Sequence, residues 1–210
     1  MKRLIAIIAI TATFGMTAAM AQDSRCDAIT GKVTDVLTKG GGVSVKFSSR
    51  TISGNRAVQE MQGSIRIKGE KFVLLSDAMD MGYDGQTAWS YIKGSGEVNL
   101  SEPAEEELAT LNPYILLSNY KRMYKAEYKG KKNGYETITL IPLSDAADIK
   151  GATVTVDAGS GFPTLLETVN RDASKTVISI SDFESAVKND DSIFVFSESN
   201  YPDIEIIDLR

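Results

Sequence analysis

Apolar and polar residues alternate along the chain with two different periods, and the change of period divides it. From Gln22 to Thr38 the apolar positions Ile29, Val33, Val36 and Leu37 recur at helical spacing, predicting a short amphipathic helix over that range. Gly40-Gly41-Gly42 ends it. Thereafter the period is two: Val43, Val45 and Phe47 alternate with Ser44, Lys46 and Ser48, and Ile65 and Ile67 alternate with Ser64, Arg66 and Lys68. Such segments are half-buried strands.

Further β-prone runs are Phe72 to Leu75, Thr87 to Tyr91, Tyr135 to Ile141, Ala152 to Val156, Thr164 to Asn170, Thr176 to Ile180 and Phe194-Val195-Phe196. Turn-forming clusters separate them, among them Gly69-Glu70, Asp84-Gly85, Lys93-Gly94-Ser95-Gly96, Asn133-Gly134 and Asn170-Arg171-Asp172. The spacing is that of an antiparallel meander, not of alternating βα units. With no repeat or linker in sight, one domain over 22–210 is expected.

One helical interruption stands in the middle. Ser101 is placed to cap a helix whose first turn holds Pro103, Glu105, Glu106 and Glu107, and Asn112-Pro113 then breaks it. A second helix restarts with Asn112 as cap and Pro113 first, running to Lys121-Arg122. Tyr114, Ile115, Leu116, Leu117 and Tyr120 leave it almost no polar face, so it has to be covered on several sides or itself cover something.

The first 21 residues carry a different signal. Lys2 and Arg3 precede the apolar run Leu4 to Ile10, and Ala19-Met20-Ala21 closes the segment, the pattern of a secretory signal peptide cut near Ala21. The mature chain is then expected in the periplasm with 21 basic and 28 acidic groups. No later apolar run approaches the roughly 20 residues needed to span a bilayer.

Composition removes most chemistry. The 210 residues include no histidine and one cysteine, Cys26, so Ser-His-Asp and Cys-His pairs and histidine metal sites are excluded. Net charge −5 opposes binding to nucleic acid. The carboxylate groups Glu105-Glu106-Glu107 and Asp190-Asp191 read as a solvated first turn and a polar loop. Asp80-Met81-Gly82-Tyr83-Asp84 lacks the further ligands of a calcium loop. Gly94-Ser95-Gly96 is followed by neither Lys-Ser/Thr nor a helix to receive a phosphate. The expectation is no enzyme and no cofactor, but a binder of something apolar or of another protein.

Tyr83-Asp84-Gly85-Gln86-Thr87-Ala88-Trp89-Ser90-Tyr91, followed by Leu111-Asn112-Pro113-Tyr114-Ile115-Leu116-Leu117, resembles the LolA family of periplasmic lipoprotein carriers. The order of the parts is similar over essentially the whole mature chain, and the ending Tyr201 to Arg210 resembles a branch from Bacteroides-type bacteria. The resemblance implies a mainly β (α+β) fold, an open, strongly curved antiparallel half-barrel with helices covering its concave face. It also implies acylated lipoproteins as cargo, an inner-membrane exporter as donor, an outer-membrane acceptor, and a monomer. At about 0.8 kcal/mol per CH₂, one C16 chain carries on the order of 12 kcal/mol of apolar transfer, so a carrier needs a comparable greasy surface that closes when empty.

The lining expected for such a cavity is Val43, Val45, Phe47, Ile65, Ile67, Phe72, Leu74, Trp89 and Tyr91 from the sheet, with Leu111, Ile115 and Leu116 from the lid. The family often has a latching arginine before the strand that begins near Phe72. Here the matching region reads Ile65-Arg66-Ile67-Lys68-Gly69-Glu70-Lys71, which leaves Lys68 as latch candidate. The same half-barrel also serves envelope sensors that bind lipid or a membrane protein partner, the alternative reading, and a carboxylate-only hydrolase is a third.

Overall fold

A computed structural model describes residues 11–38, 41–104, 107–108, 112–118, 120–145, 147, 149–188 and 190–210, with only the backbone for 11–23 and 113. Helix α1 spans Thr11–Thr38. It begins before the expected Gln22 because no glycine–proline breaker separates the apolar leader from the amphipathic segment. Six strands follow: β1 Val43–Ser53, β2 Arg56–Lys68, β3 Lys71–Ser76, β4 Met79–Tyr83, β5 Ala88–Ile92 and β6 Glu97–Ser101. Two short helices, α2 Pro113–Ser118 and α3 Tyr120–Met123, precede β7 Tyr124–Lys132, β8 Tyr135–Pro142, β9 Ile149–Asp157, β10 Pro163–Asn170, β11 Lys175–Ser185 and β12 Glu205–Asp208.

The strands form one open, curved sheet in the order β12-β6-β5-β4-β3-β2-β1-β11-β10-β9-β8-β7. Neighbours are antiparallel except β12, which runs parallel to β6. The mainly β half-barrel implied by the resemblance is the architecture found. β4, β6, β7 and β12 escaped the pattern reading, and Ser101 ends β6 instead of capping a helix. Glu105, Glu106 and Leu111 lie outside the described residues.

Alternation gives the sheet two apolar faces. On the concave face Val43, Val45 and Phe47 of β1 oppose Ile67, Ile65 and Gly63 of β2, and their side chains join a core that includes Cys26, Ile29, Val33 and Leu37 of α1. Gly63 has to be glycine, since a Cβ there would sit 2.3 Å from the Leu75 carbonyl oxygen. Carried across the Asp84–Thr87 turn, the register pairs Phe72 with Tyr83 and Tyr83 with Ala88, so Trp89 and Tyr91 point to the opposite face.

On that convex face Val73, Trp89, Val98 and Phe194 form a second apolar cluster. Phe194-Val195-Phe196 is not the expected strand. Asp190 accepts from the Ser192 backbone N–H at 3.0 Å, a 3₁₀ turn runs over Asp191–Phe194, and the Phe194 ring plugs the convex face with no exposure. The Trp89 indole N–H donates to the Phe194 carbonyl at 3.0 Å. That ring lies so close over Gly82 that a Cβ there would meet Nε1 at 2.5 Å.

Polar clasps finish the docking of this C-terminal segment. Tyr201 donates to Asp80 at 3.1 Å beside Lys93, which reaches the same carboxylate oxygen. Asp191 accepts from Lys68 at 2.5 Å and from Lys71 at 2.8 Å. Those hydrogen bonds hold the Asp191 carboxyl at about 2, below the ordinary 3.8. A depressed carboxyl stabilises the docked state above the ordinary range, and that contribution disappears as the pH falls from about 4 towards 2. Trp89, the one tryptophan of the chain, reports on this docking. Its emission is expected to stay constant from neutral pH to about pH 5 and to shift red between about pH 4 and 2, with Asp191→Asn removing part of that transition. An identical acid transition in Asp191→Asn would exclude the clasp as its source.

Candidate functional site

Between the concave face and the helices lies a hollow of about 160 Å³. Among the described residues that line it, only Ser49 carries a polar side chain. The floor is Val43, Val45, Phe47 and Ser49 of β1, Met61, Ile65 and Ile67 of β2, Leu74 of β3, Val154 of β9, Pro163 and Leu166 of β10 and Ile178 and Ile180 of β11, with Phe162 alongside. The roof is Leu37 of α1 and Leu116 and Leu117 of α2. Alternation produces this surface: each strand presents every second residue, and all the presented ones but Ser49 are apolar.

Among the residues expected for a cavity, the structure brings together Val43, Val45, Phe47, Ile65, Ile67, Leu74 and Leu116 around the hollow. Phe72 and Ile115 are buried in the surrounding core without reaching it. Trp89 and Tyr91 belong instead to the convex cluster, for the register reason given above, and Leu111 lies outside the described residues. Val154, Leu166, Ile178 and Ile180 were missed, although the alternation of their own strands marks them. Leu37 and Leu117 carried a signal too, as members of apolar helix faces.

Roof and floor are joined by polar bonds at the margins. The Arg25 guanidinium of α1 pairs with the buried carboxylate of Glu136 on β8, which also accepts from the Tyr128 hydroxyl at 3.4 Å. Lys32 donates to the carbonyls of Ala158 and Gly159 at 2.6 and 3.1 Å. Asp27 of α1 accepts from Lys121 at 2.7 Å and from the Tyr120 hydroxyl at 2.5 Å, both on α3. The hydrogen bonds from Lys121 and Tyr120 draw the Asp27 carboxyl down, while burial and Asp27 push the Tyr120 phenol up.

The lid helix α2 is held at its first residues. Asn112 is fully buried; its Oδ1 caps α2 by accepting from the Tyr114 N–H at 2.9 Å. Its amide nitrogen donates to the carbonyls of Gly69 and Glu70, at 3.1 and 2.9 Å, in the turn between β2 and β3. Asn112 therefore ties the lid to the sheet. Lys68, the latch candidate from the sequence, does not: strand parity places it opposite Ile65 and Ile67, where it binds Asp191.

Among the described residues the lining of the hollow is apolar except for Ser49, a surface suited to an apolar group. Among the described residues no three His, Cys, Asp or Glu are grouped so as to hold a metal ion, and no helix is long and apolar enough to cross a membrane.

The sequence profile of a family described as outer membrane lipoprotein carrier protein LolA matches residues 13–171. The chain belongs to the LolA family. The segment from 172 onward, including the convex-face plug Phe194, lies beyond that LolA match. Comparison with curated proteins gives no match. Similar solved structures include an uncharacterized conserved protein from Thermus thermophilus, 8% identical, TM-score 0.58, covering 88% of this chain and 99% of that one. A DUF1329 family protein from Desulfovibrio piger is 9% identical with TM-score 0.51, covering 82% and 96%. A LolA superfamily protein from Nitrosomonas europaea is 11% identical with TM-score 0.49, covering 81% and 97%. At these identities the likeness to solved structures is one of fold.

Replacing Asn112 by alanine removes the cap and leaves two turn carbonyls unpaired, which is expected to cost about 2–3 kcal/mol. Denaturant unfolding measures the cost, and amide exchange over residues 112–118 is expected to quicken. An unchanged midpoint and unchanged exchange would show that the lid is held elsewhere.

Proposed function

We propose that this protein is a periplasmic carrier that takes the acyl chains of lipoproteins into the hollow and moves them from the inner to the outer membrane. The observation that carries this reading is the apolar hollow of about 160 Å³ between the sheet and α2 in a chain of the LolA family. The apolar leader with Lys2 and Arg3 supports export, and the apolar lining among the described residues supports the binding of acyl chains. An inner-membrane exporter would load the cargo and an outer-membrane acceptor would receive it.

Size decides how the hollow would work. An engineered apolar cavity of about 150 Å³ takes a molecule the size of benzene. A C16 chain is several times larger than that and enters only as α2 moves away from Phe47 and Ile67. Each CH₂ then brought out of water contributes about 0.8 kcal/mol, which offsets the bonds that the moving lid gives up. The equilibrium between closed and open lids is shifted by the ligand in proportion to its preference for the open form.

The test is extraction. Purified protein is mixed with vesicles that hold a fluorescent lipopeptide, and soluble complex is measured after the vesicles are removed. Wild type is expected to carry lipopeptide into solution, and Leu116→Asp, which puts a charge in the roof, to lower the yield at least tenfold with the fold intact by circular dichroism. A wild-type protein that leaves the lipopeptide in the vesicles would refute the carrier reading and favour a sensor that meets its partner at the membrane.

A further inference from the structure

Along the concave face the apolar lining stops abruptly. The rim of the hollow is the row Met61, Ser49, Ile178 and Leu166, opposed across β2, β1, β11 and β10. Two residues further along each strand, about 7 Å away, the next inward row reads Gln59, Thr51, Thr176 and Thr168. Every member is polar and none is charged. Charge is present at this level of the strands, but on the other face: Arg50 pairs with Glu60 at 2.7 Å, and Glu167 opposes Val177, which opposes Arg50.

The row already forms part of a hydrogen-bonded set. The Thr51 and Thr176 hydroxyl oxygens lie 3.0 Å apart, and the Asn170 amide donates to Thr176 at 3.3 Å. Either hydroxyl can donate across the Thr51–Thr176 contact, and in the arrangement where Thr176 donates, the Thr51 hydroxyl hydrogen is left to donate outward. Thr168 is held by the same Asn170, whose Oδ1 is 3.5 Å from its hydroxyl. The Gln59 amide has no partner among the described residues and is exposed, so both its N–H groups are open to a ligand.

We propose that this row is a second subsite of the binding surface, one that receives the ester and amide carbonyls joining acyl chains to a lipoprotein's first residue. The inference rests on the carrier reading of the hollow. Carbonyl oxygens of esters and amides are neutral acceptors, and hydroxyl and carboxamide donors satisfy them without a counter-ion. A free fatty acid brings a carboxylate, and this row offers no cation to replace its lost hydration. The surface therefore selects neutral acyl esters over acyl anions of the same chain length, with the tail under Leu116 and the linkage on the row.

Two competitors that differ only at the head test this: glycerol monopalmitate and palmitate, each displacing a fluorescent acyl probe from the purified full chain at mildly alkaline pH. The ester is expected to compete about tenfold better than the acid. Thr51→Val with Thr176→Val, near-isosteric but unable to donate, is expected to weaken the ester about tenfold and leave palmitate unchanged. Gln59→Lys, at an exposed position where folding is not at risk, is expected to strengthen palmitate several-fold. Equal competition by the two lipids in wild type, or a ratio that none of these substitutions moves, would overturn the subsite. Failure of both lipids to displace the probe would overturn the carrier reading beneath it.

Discussion

An apolar hollow of about 160 Å³ between a sheet and its covering helices keeps its shape only while the two layers are held apart. Side chains collapse into such a space unless the walls are fixed by bonds that do not pass through it. Here the walls are fixed from the margins. Arg25 with Glu136 and Lys32 with two loop carbonyls seat α1, Asp27 joins α1 to α3, and Asn112 joins α2 to the β2–β3 turn. The hollow keeps its shape because the helices over it are bonded to strands and turns at its margins.

The same β2–β3 turn serves both faces of the sheet. Its carbonyls hold the lid through Asn112 on one side, while Lys68 and Lys71 hold Asp191 on the other. Beneath Asp191, Phe194 and Trp89 close the convex face with an apolar cluster of their own. Val73, Trp89 and Val98 give β3, β5 and β6 an apolar cover on this side as well, so this half of the sheet is packed on both faces.

Much of this was legible in the chain. The alternation Val43-x-Val45-x-Phe47 and Ile65-x-Ile67 names the floor of the hollow directly, because each strand turns every second side chain inward. The aliphatic run after Pro113 marks a helix with two buried sides. Trp89 and Tyr91 went astray for want of parity across a turn. Tyr83 and Ala88 pair, so the residue after Ala88 has to face away from Phe72, and the Asp84–Thr87 turn contains enough information to show it. Other features needed the fold. Asn112 is readable as a helix cap, but its two remaining hydrogen bonds go to residues 42 and 43 positions away. Phe194 looks like a strand residue until Trp89, 105 positions distant, is seen to require a cover.

On the carrier reading, acyl chains lie in the hollow under α2. A crystal structure of the protein grown with a diacylated N-terminal lipoprotein peptide tests it most directly. The expected result is an acyl chain lying between Phe47, Ile67 and Leu116, with α2 displaced and the space larger than 160 Å³. Acyl density on the convex face or at a sheet edge, with the hollow closed and unchanged, would contradict it.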